Sequence, residues 1–301
     1  MGQGGITYEA DQRHAEIITK ILGLEGKKGL STPGVRAANE KDEELDDEFL
    51  ERKEAGIYRA ITARGNYLSQ DRTDIKYAVK ELSRQMAKPR RRDWRKIVRF
   101  GKYLLKHGRY VCRFGYQDGV SKLDVWTDTD YAGCRETRKS TSGGVIQLGG
   151  HTIRGWSNTQ KVIALSSGEA EYYGIVKGIS EGIGTRSILQ DMDVQLKIRV
   201  KEDSSAALGM ANRTGLGKVR HIEVNQLWIQ EKVRSKEVEV VKVAGVDNLA
   251  DALTKNLEAE GINKHLKFAN CYFAEGRHEL MPEVVGKVEE IGFMEGEPGE
   301  D

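Results

Sequence analysis

Four acidic residues stand in four differently built stretches of this chain. They are Asp128 in Val-Trp-Thr-Asp-Thr-Asp-Tyr-Ala-Gly, Glu171 in Ala-Leu-Ser-Ser-Gly-Glu-Ala-Glu-Tyr, Asp203 in Arg-Val-Lys-Glu-Asp-Ser-Ser-Ala, and Asp251 in Asn-Leu-Ala-Asp-Ala-Leu-Thr-Lys. Carboxylates brought together cannot all ionise unless cations neutralise them. Hard divalent metals take oxygen ligands of this kind, and paired metals promote phosphodiester chemistry. The quartet is therefore a candidate site for two Mg²⁺ ions, with Mn²⁺ as the alternative. Two neighbours compete for the same roles. Glu169 lies about 200° round a helix from Glu171, so only one of the two can face a metal, and helical geometry does not choose. Asp130 shares a strand face with Asp128 and raises the same question.

The elements that must position these acids follow from hydrophobic spacing. Two of the acids close expected strands and two sit on expected helices. Residues 8–24 place Ala15, Ile17, Ile18, Ile21 and Leu22 at helical spacing, with Gly23 as the stop. Loop and acidic linker follow to Glu54. Residues 55–86 read as two helices broken near Ser69–Thr73, and Asp93 is expected to cap a third whose stripe is Trp94, Ile97, Val98, Gly101, Leu104 and Leu105. From 108 onward the texture alternates. Strands are expected at Tyr110–Tyr116, Leu123–Asp128, Gly144–Leu148, Thr152–Trp156, Leu196–Val200 and Val238–Val243, with Gly149-Gly150 as a hairpin turn. Helices are expected at Gly168–Asp191, Ser204–Asn212 and Glu223–Arg234, and Asp247 opens a last one.

Charge is segregated although the formal net charge is only +2. Arg84 to Arg113 holds twelve Lys or Arg against the single acid Asp93, whereas Glu40 to Glu54 holds nine acids. This pattern suggests a nucleic-acid face, an acidic linker and an acidic tail. Arg90, Arg91, Arg92, Arg95, Lys96 and Arg99 are the candidate phosphate contacts, with Arg138 and Lys139 further along. The plainer reading of the first run is a solvated helix face. Ser140, Thr141 and Ser142 suit phosphate contact or simple turn chemistry. Trp156 and Trp228 read as core rather than as stacking platforms. Three cysteines without Cys-x-x-Cys spacing argue against a zinc knuckle and for a reducing compartment. No apolar run approaches membrane-spanning length, and the N-terminus lacks a secretory core, so the expected location is cytoplasmic or nuclear, not secreted. The start itself reads like the middle of a longer protein.

Five strings occur in order: Asp128-Thr-Asp-Tyr-Ala-Gly, Arg138-Lys-Ser-Thr-Ser-Gly, Ala164-Leu-Ser-Ser-Gly-Glu-Ala-Glu-Tyr, Arg220-His-Ile-Glu and Leu249-Ala-Asp-Ala-Leu-Thr-Lys. With the order of elements around them, they resemble the ribonuclease H domain of Copia-type (Ty1/copia) retrotransposon polyproteins. Tyr58-Arg-Ala-Ile, Arg72-Thr-Asp-Ile-Lys-Tyr-Ala-Val, Trp94 and Lys102-Tyr-Leu-Leu-Lys resemble the same polyprotein's thumb and connection helices. The resemblance implies an α/β fold with a ribonuclease H-like mixed five-stranded sheet and flanking helices, preceded by a mainly helical region. It implies residues 1–54 as a helix plus acidic linker from the thumb region, 55–116 as connection and 117–278 as the ribonuclease H-like domain, whereas 279–301, which the resemblance leaves out, reads from its acidic, Gly-rich composition as a disordered tail.

The resemblance also selects Asp128, Glu171, Asp203 and Asp251 as metal ligands and catalytic acids over Glu169 and Asp130. Two Mg²⁺ about 4 Å apart would bridge a scissile phosphate of an RNA–DNA hybrid. The remainder of a reverse transcriptase polyprotein is the implied protein partner, and no membrane is involved. Departures are visible. The family's usual Asp-Asn-Gln-Ser-Ala is here Asp203-Ser-Ser-Ala. The loop Val243-Ala-Gly-Val-Asp lacks the histidine that cellular ribonucleases H carry before the last acid, so proton transfer falls to water or to His221. The plainer reading of His221 is a helix-start residue that hydrogen-bonds backbone. No Tyr-x-Asp-Asp hairpin exists, so no polymerase palm is expected, and Gly143-Gly144 is a turn, not a phosphate loop.

Two other readings stand beside the nuclease. One is a catalytically inactive or decayed retroelement fragment that only binds nucleic acid. The other is an integrase-type strand transferase, against which the lack of a His/Cys zinc module counts.

Overall fold

A computed structural model describes residues 4–35, 47–217, 222 and 227–284. His221, most of the Arg220-His-Ile-Glu string, the acidic run before Asp47 and the tail from residue 285 lie outside the described residues. The chain folds as two compact units. One holds Cys112–Lys255 and Gly261–Cys271 with the start of the chain. The other holds Tyr8–Val111, Asn256–Glu260 and the chain from Tyr272.

The first unit is built on a five-stranded sheet. Its strands are β3 (Lys122–Asp130), β4 (Thr141–Leu148), β5 (His151–Thr159), β6 (Lys197–Glu202) and β7 (Val238–Lys242), in the spatial order β5-β4-β3-β6-β7. β3, β4 and β5 pair antiparallel, with Val125 opposite Ile146 and Gly144 opposite Trp156. β6 runs parallel to β3, with Val125 beside Val200, and β7 runs parallel to β6. This is the mixed sheet with flanking helices that the resemblance implied.

Alternation along β3 decides which side chains face the core. Leu123 and Val125 point to one face and are fully buried, while Asp124, Trp126 and Asp128 point to the other. The apolar face packs against α5 (Ser167–Asp191) through Tyr172, Ile175 and Ile179, and against α6 (Ser205–Asn212) through Ala207 and Met210. Trp156 and Trp228 both belong to this core. Helix α5 comes unusually close to β3 because it presents a stripe of glycines. A Cβ on Gly174 would stand 2.7 Å from the Thr129 hydroxyl oxygen, one on Gly178 would overlap the Thr127 methyl, and one on Gly182 would stand 3.0 Å from a Val125 methyl.

In the second unit, α1 (Gln12–Ile21), α2 (Arg52–Leu68), α3 (Lys76–Arg84) and α4 (Arg91–Lys106) pack together. The Arg72-Thr-Asp-Ile string serves this core. Arg72 and Asp74 form a fully buried ion pair at 2.6 Å, the Tyr103 hydroxyl donates to Asp74 at 2.8 Å, and Arg72 donates to the His107 carbonyl at 2.7 Å. Satisfying each buried charge in this way is what makes it tolerable.

Several local expectations are corrected. The helix expected over 8–24 is preceded by a short strand, β1 (Gly5–Glu9), and begins at Gln12 behind an Asp11 cap. Asp93 is not the cap of α4 but its third residue, and its carboxylate accepts from the Arg90 backbone N–H at 2.9 Å. The strand β2 (Arg109–Gly115) joins β1 and β8 (Cys271–Ala274) in a separate three-stranded sheet. No α-helix opens at Asp247. Two 3-10 turns, Gly245–Asp247 and Leu249–Leu253, take its place, and the next α-helix is Ala259–Phe268.

Candidate active site

Asp128 lies two residues before the end of β3, Asp203 directly follows β6, and Glu171 sits near the start of α5. These three elements bring one carboxylate oxygen of each residue within 4.8 Å of the other two, and among the described residues this is the group able to hold a metal ion. The strand ends arrive together because β3 and β6 are parallel neighbours. The helix start arrives with them because the glycine stripe lets α5 lie against β3.

Helical geometry left Glu169 and Glu171 as alternatives, and the structure separates them. Glu169 accepts from the Leu165 backbone N–H at 3.0 Å and from the Tyr173 hydroxyl at 2.9 Å, just inside the Ser166 cap. It serves the helix start, as a capping carboxylate does. Glu171 turns to the sheet, and its buried Oε2 has no hydrogen-bond partner among the described residues. Asp130 is outside the group that includes Asp128.

Like charges and burial govern the protonation of the cluster. Burial, followed by the Asp251 charge, pushes Asp128 up to about 6, while the Thr254 hydroxyl and Lys255 pull it back. Burial, then the charges of Glu202, Asp128 and Asp203, pushes Glu171 up to about 10, opposed by the neighbouring Thr129 hydroxyl, which itself stays outside hydrogen-bond geometry. A cluster that resists ionisation this strongly, with a buried oxygen left unpartnered, has the character of a cation site. The donors are all carboxylate oxygens, the set that hard divalent ions take.

Asp251 reaches this cluster by charge but is not one of the three grouped acids. Its carboxylate pairs with Lys255, one turn later, at 2.9 Å. Burial works against the Lys255 charge, but its hydrogen bond to Asp251 and the charges of Asp251, Asp128 and Asp130 raise it overall, so the ammonium stays charged. The Asp251 turn is tied to β3. Asn248 donates to the Thr127 carbonyl at 2.8 Å and accepts from the Ala250 N–H, Leu249 and Leu253 pack on Val145, and the Thr254 hydroxyl donates to Asp128. In the loop expected to lack a histidine, a Cβ on Gly245 would stand 2.9 Å from the Asp203 carboxylate, and Lys242 donates to the Asp203 carbonyl and to Ser205.

Sequence reading missed Glu202. It is fully buried directly behind the cluster, accepting from the Thr127 hydroxyl at 2.8 Å and from the backbone N–H groups of Asp203 and Ser204 at 3.0 Å each. No motif pointed to it, and only its place before Asp203 could have done so.

The basic residues are distributed differently. On α4, Arg90 and Arg92 both pair with Asp47, and Arg91 pairs with Glu54 at 2.6 Å. Arg99 donates to the Thr32 hydroxyl at 2.7 Å, and burial holds its pKa down. Arg95 and Lys96 also have partners. In the first unit, the loop from Tyr131 to Ser140 is closed by the Arg138 N–H donating to the Cys134 carbonyl at 2.7 Å and by the Ala132 N–H donating to the Ser140 hydroxyl at 3.0 Å. It presents Arg138 exposed, at a φ of 57°, with Lys139 half-buried beside it. Ser140, Thr141 and Ser142 are buried, and Ser142 accepts from Gln160 at 2.8 Å, so these hydroxyls serve the fold.

No family model matches the chain. Over 206 residues, 66% of its length, it is 32% identical to the retrovirus-related Pol polyprotein from transposon RE2 of Arabidopsis thaliana. Over 187 residues, 61% of its length, it is 34% identical to the corresponding polyprotein from transposon TNT 1-94 of Nicotiana tabacum. In each case it spans only 14% of the relative's length. Among solved structures, LC11-RNase H1, isolated from compost, aligns with 48% of this chain and 99% of its own at 21% identity and a TM-score of 0.32. The same enzyme in complex with an RNA/DNA hybrid aligns with a TM-score of 0.30 at 19% identity.

Proposed function

We propose that this chain, which belongs to the retrovirus-related Pol polyproteins of copia-type transposons, carries a ribonuclease H-type endonuclease that hydrolyses the RNA strand of RNA–DNA hybrids. One observation supports this reading above all. Carboxylates from two parallel strand ends and one helix start meet within 4.8 Å around an unpartnered buried oxygen. Asp128, Glu171 and Asp203 would hold the metal ions, with Asp251 as a fourth acid at the rim. Bound Mg²⁺ supplies charge neutralisation at the phosphate and a more acidic water. The chain's own residues fix the carboxylates in place. Thr254 orients Asp128 by its hydroxyl, the Asn248 bond holds the Asp251 turn to β3, and Lys255 and Lys242 place positive charge beside the acids where a phosphate would lie. Arg138 and Lys139, on the loop after β3, are the hybrid contacts in the same unit.

The test is a labelled RNA–DNA hybrid incubated with the full chain, with Mg²⁺ and with chelator. Cutting of the RNA strand only with Mg²⁺, lost by on the order of 100-fold or more in Asp128→Asn, is the expected result. Hybrid binding without cutting at any metal concentration would overturn it. It would favour instead a catalytically silent nucleic-acid binder, the reading suggested by Asp251 being paired with Lys255 rather than grouped with the other acids.

A further inference from the structure

A fully buried carboxylate placed behind three others is electrostatically costly. Glu202 is pushed up to about 8, first by burial and then by the charges of Asp203 and Asp128, against the pull of the Ser204 N–H and the Thr127 hydroxyl. Its charge also acts on Glu171. A neutral residue of similar size would avoid that repulsion. What only an acceptor-bearing side chain provides here is connection. One oxygen of Glu202 receives two consecutive backbone N–H groups, those of Asp203 and Ser204, where β6 ends. The other receives the hydroxyl of Thr127, the residue before Asp128 on β3. The ladder between β3 and β6 is aligned as far as Trp126 and Lys201, so the backbone pairing stops just short of both acids. Glu202 continues the connection between the strands where the ladder leaves off.

We infer that Glu202 is a positioning residue for the metal centre: through its three hydrogen bonds it holds Asp203 at the end of β6 in fixed relation to Asp128 on β3. The inference rests on the proposed metal-dependent nuclease site. It assigns Glu202 no contact with metal or substrate. Its effect is exerted through the backbone of one ligand and the neighbour of another. Partners of this kind orient metal-ligating groups, and their loss commonly weakens metal binding by about 10- to 100-fold.

The experiment is a Mn²⁺ titration of the full chain, read by the electron paramagnetic resonance of free Mn²⁺. The parent is compared with Glu202→Gln, Glu202→Ala and Thr127→Val, and circular dichroism and melting are followed on each. Glutamine keeps an acceptor for both backbone N–H groups, and the Thr127 hydroxyl can turn to accept from its amide. Glu202→Gln is expected to bind Mn²⁺ within about threefold of the parent, whereas Glu202→Ala, still folded, binds about 10- to 100-fold more weakly. Thr127→Val keeps the methyl and loses the hydroxyl, and a smaller but measurable weakening is expected. Glu202→Ala binding like the parent, or Glu202→Gln binding as weakly as Glu202→Ala, overturns the inference. The second outcome would make charge, not hydrogen bonding, the relevant property. If Glu202→Ala does not fold, Thr127→Val decides, and unchanged affinity there is fatal. A parent that binds no Mn²⁺ removes the metal-site reading itself, a result distinct from failure of the Glu202 role in a chain that does bind.

Discussion

The Lys255 ammonium sits 2.9 Å from the Asp251 carboxylate, one helical turn along the chain, and its charge also reaches Asp128 and Asp130. The protein thus carries its own monovalent counter-ion at the edge of a carboxylate cluster. An acid held by a resident cation is less available to a divalent one.

Replacing Lys255 by Met should therefore tighten Mn²⁺ binding by a few-fold while lowering the stability of the metal-free chain. Both partners are partly exposed, so the pair itself is worth no more than about 1 kcal/mol. Mn²⁺ titration and melting in chelator measure the two effects. Equal affinity in parent and variant would mean that Lys255 neutralises nothing the metal needs.

The carboxyls of Asp128 and Glu202, both buried, and of Glu171, half-buried, set a pH dependence. Their folded pKa values, about 6 for Asp128, 8 for Glu202 and 10 for Glu171, lie above those of an unfolded chain, so the folded state holds protons more tightly. The stability they contribute is present at acidic pH and is lost as pH rises through those values. In chelator, the Tm is expected to fall between pH 5 and 8. Because bound metal favours the ionised carboxylates, the Mg²⁺-induced rise in Tm should grow over the same interval. A chelated Tm that is flat or rising across it would contradict the burial of these groups.

Gly178→Ala should lower stability by about 1–3 kcal/mol, since the added methyl overlaps Thr127 in a packed interface. It should also weaken Mn²⁺ binding, because α5 carries Glu171. Gly184, where a Cβ meets nothing within 4 Å, is the control, and Gly184→Ala should be neutral or slightly stabilising. Urea melts of the two variants check this.

The arginine run on α4 makes a separate prediction. Arg90, Arg91 and Arg92 hold Asp47 and Glu54, and pairs at this degree of exposure are weak enough for a phosphate to replace. Changing all three to Ala should reduce hybrid affinity and flatten its logarithmic salt dependence by about one unit for each phosphate that is no longer neutralised. An unchanged slope would assign the run to intramolecular pairing alone.

The central strands and α5 were legible because alternation over Leu123–Asp128 and the long pattern from Gly168 to Asp191 each fit a single period. What alternation does not state is which sheet a strand joins, and β2 pairs with β1 and β8 instead of with β3. The five-residue strand β1 offers only Ile6 and Tyr8 in alternation, too few to mark a strand, and both stay exposed. The expected helix at Asp247 became 3-10 turns where Asn248 bonds to the Thr127 carbonyl, a tertiary contact invisible in local spacing. The acids announced themselves by type, whereas the pairing of Lys255 with Asp251, four residues earlier, went unread. Glu202 went unread too, because in Lys201-Glu202-Asp203 a buried acceptor and a solvated charge are written with the same letter.

β3 is bonded on both sides, antiparallel to β4 and parallel to β6, and its Thr127 is held in addition by Asn248 and Glu202. The β6 ladder ends at Trp126, and beyond it the carbonyl and hydroxyl of Thr127 carry the connection to the rest of the unit. Amide protons of Leu123–Trp126 should exchange with solvent only when the whole unit opens, whereas the end of β3 that bears Asp128 depends on these side-chain bonds and should open first when they are removed.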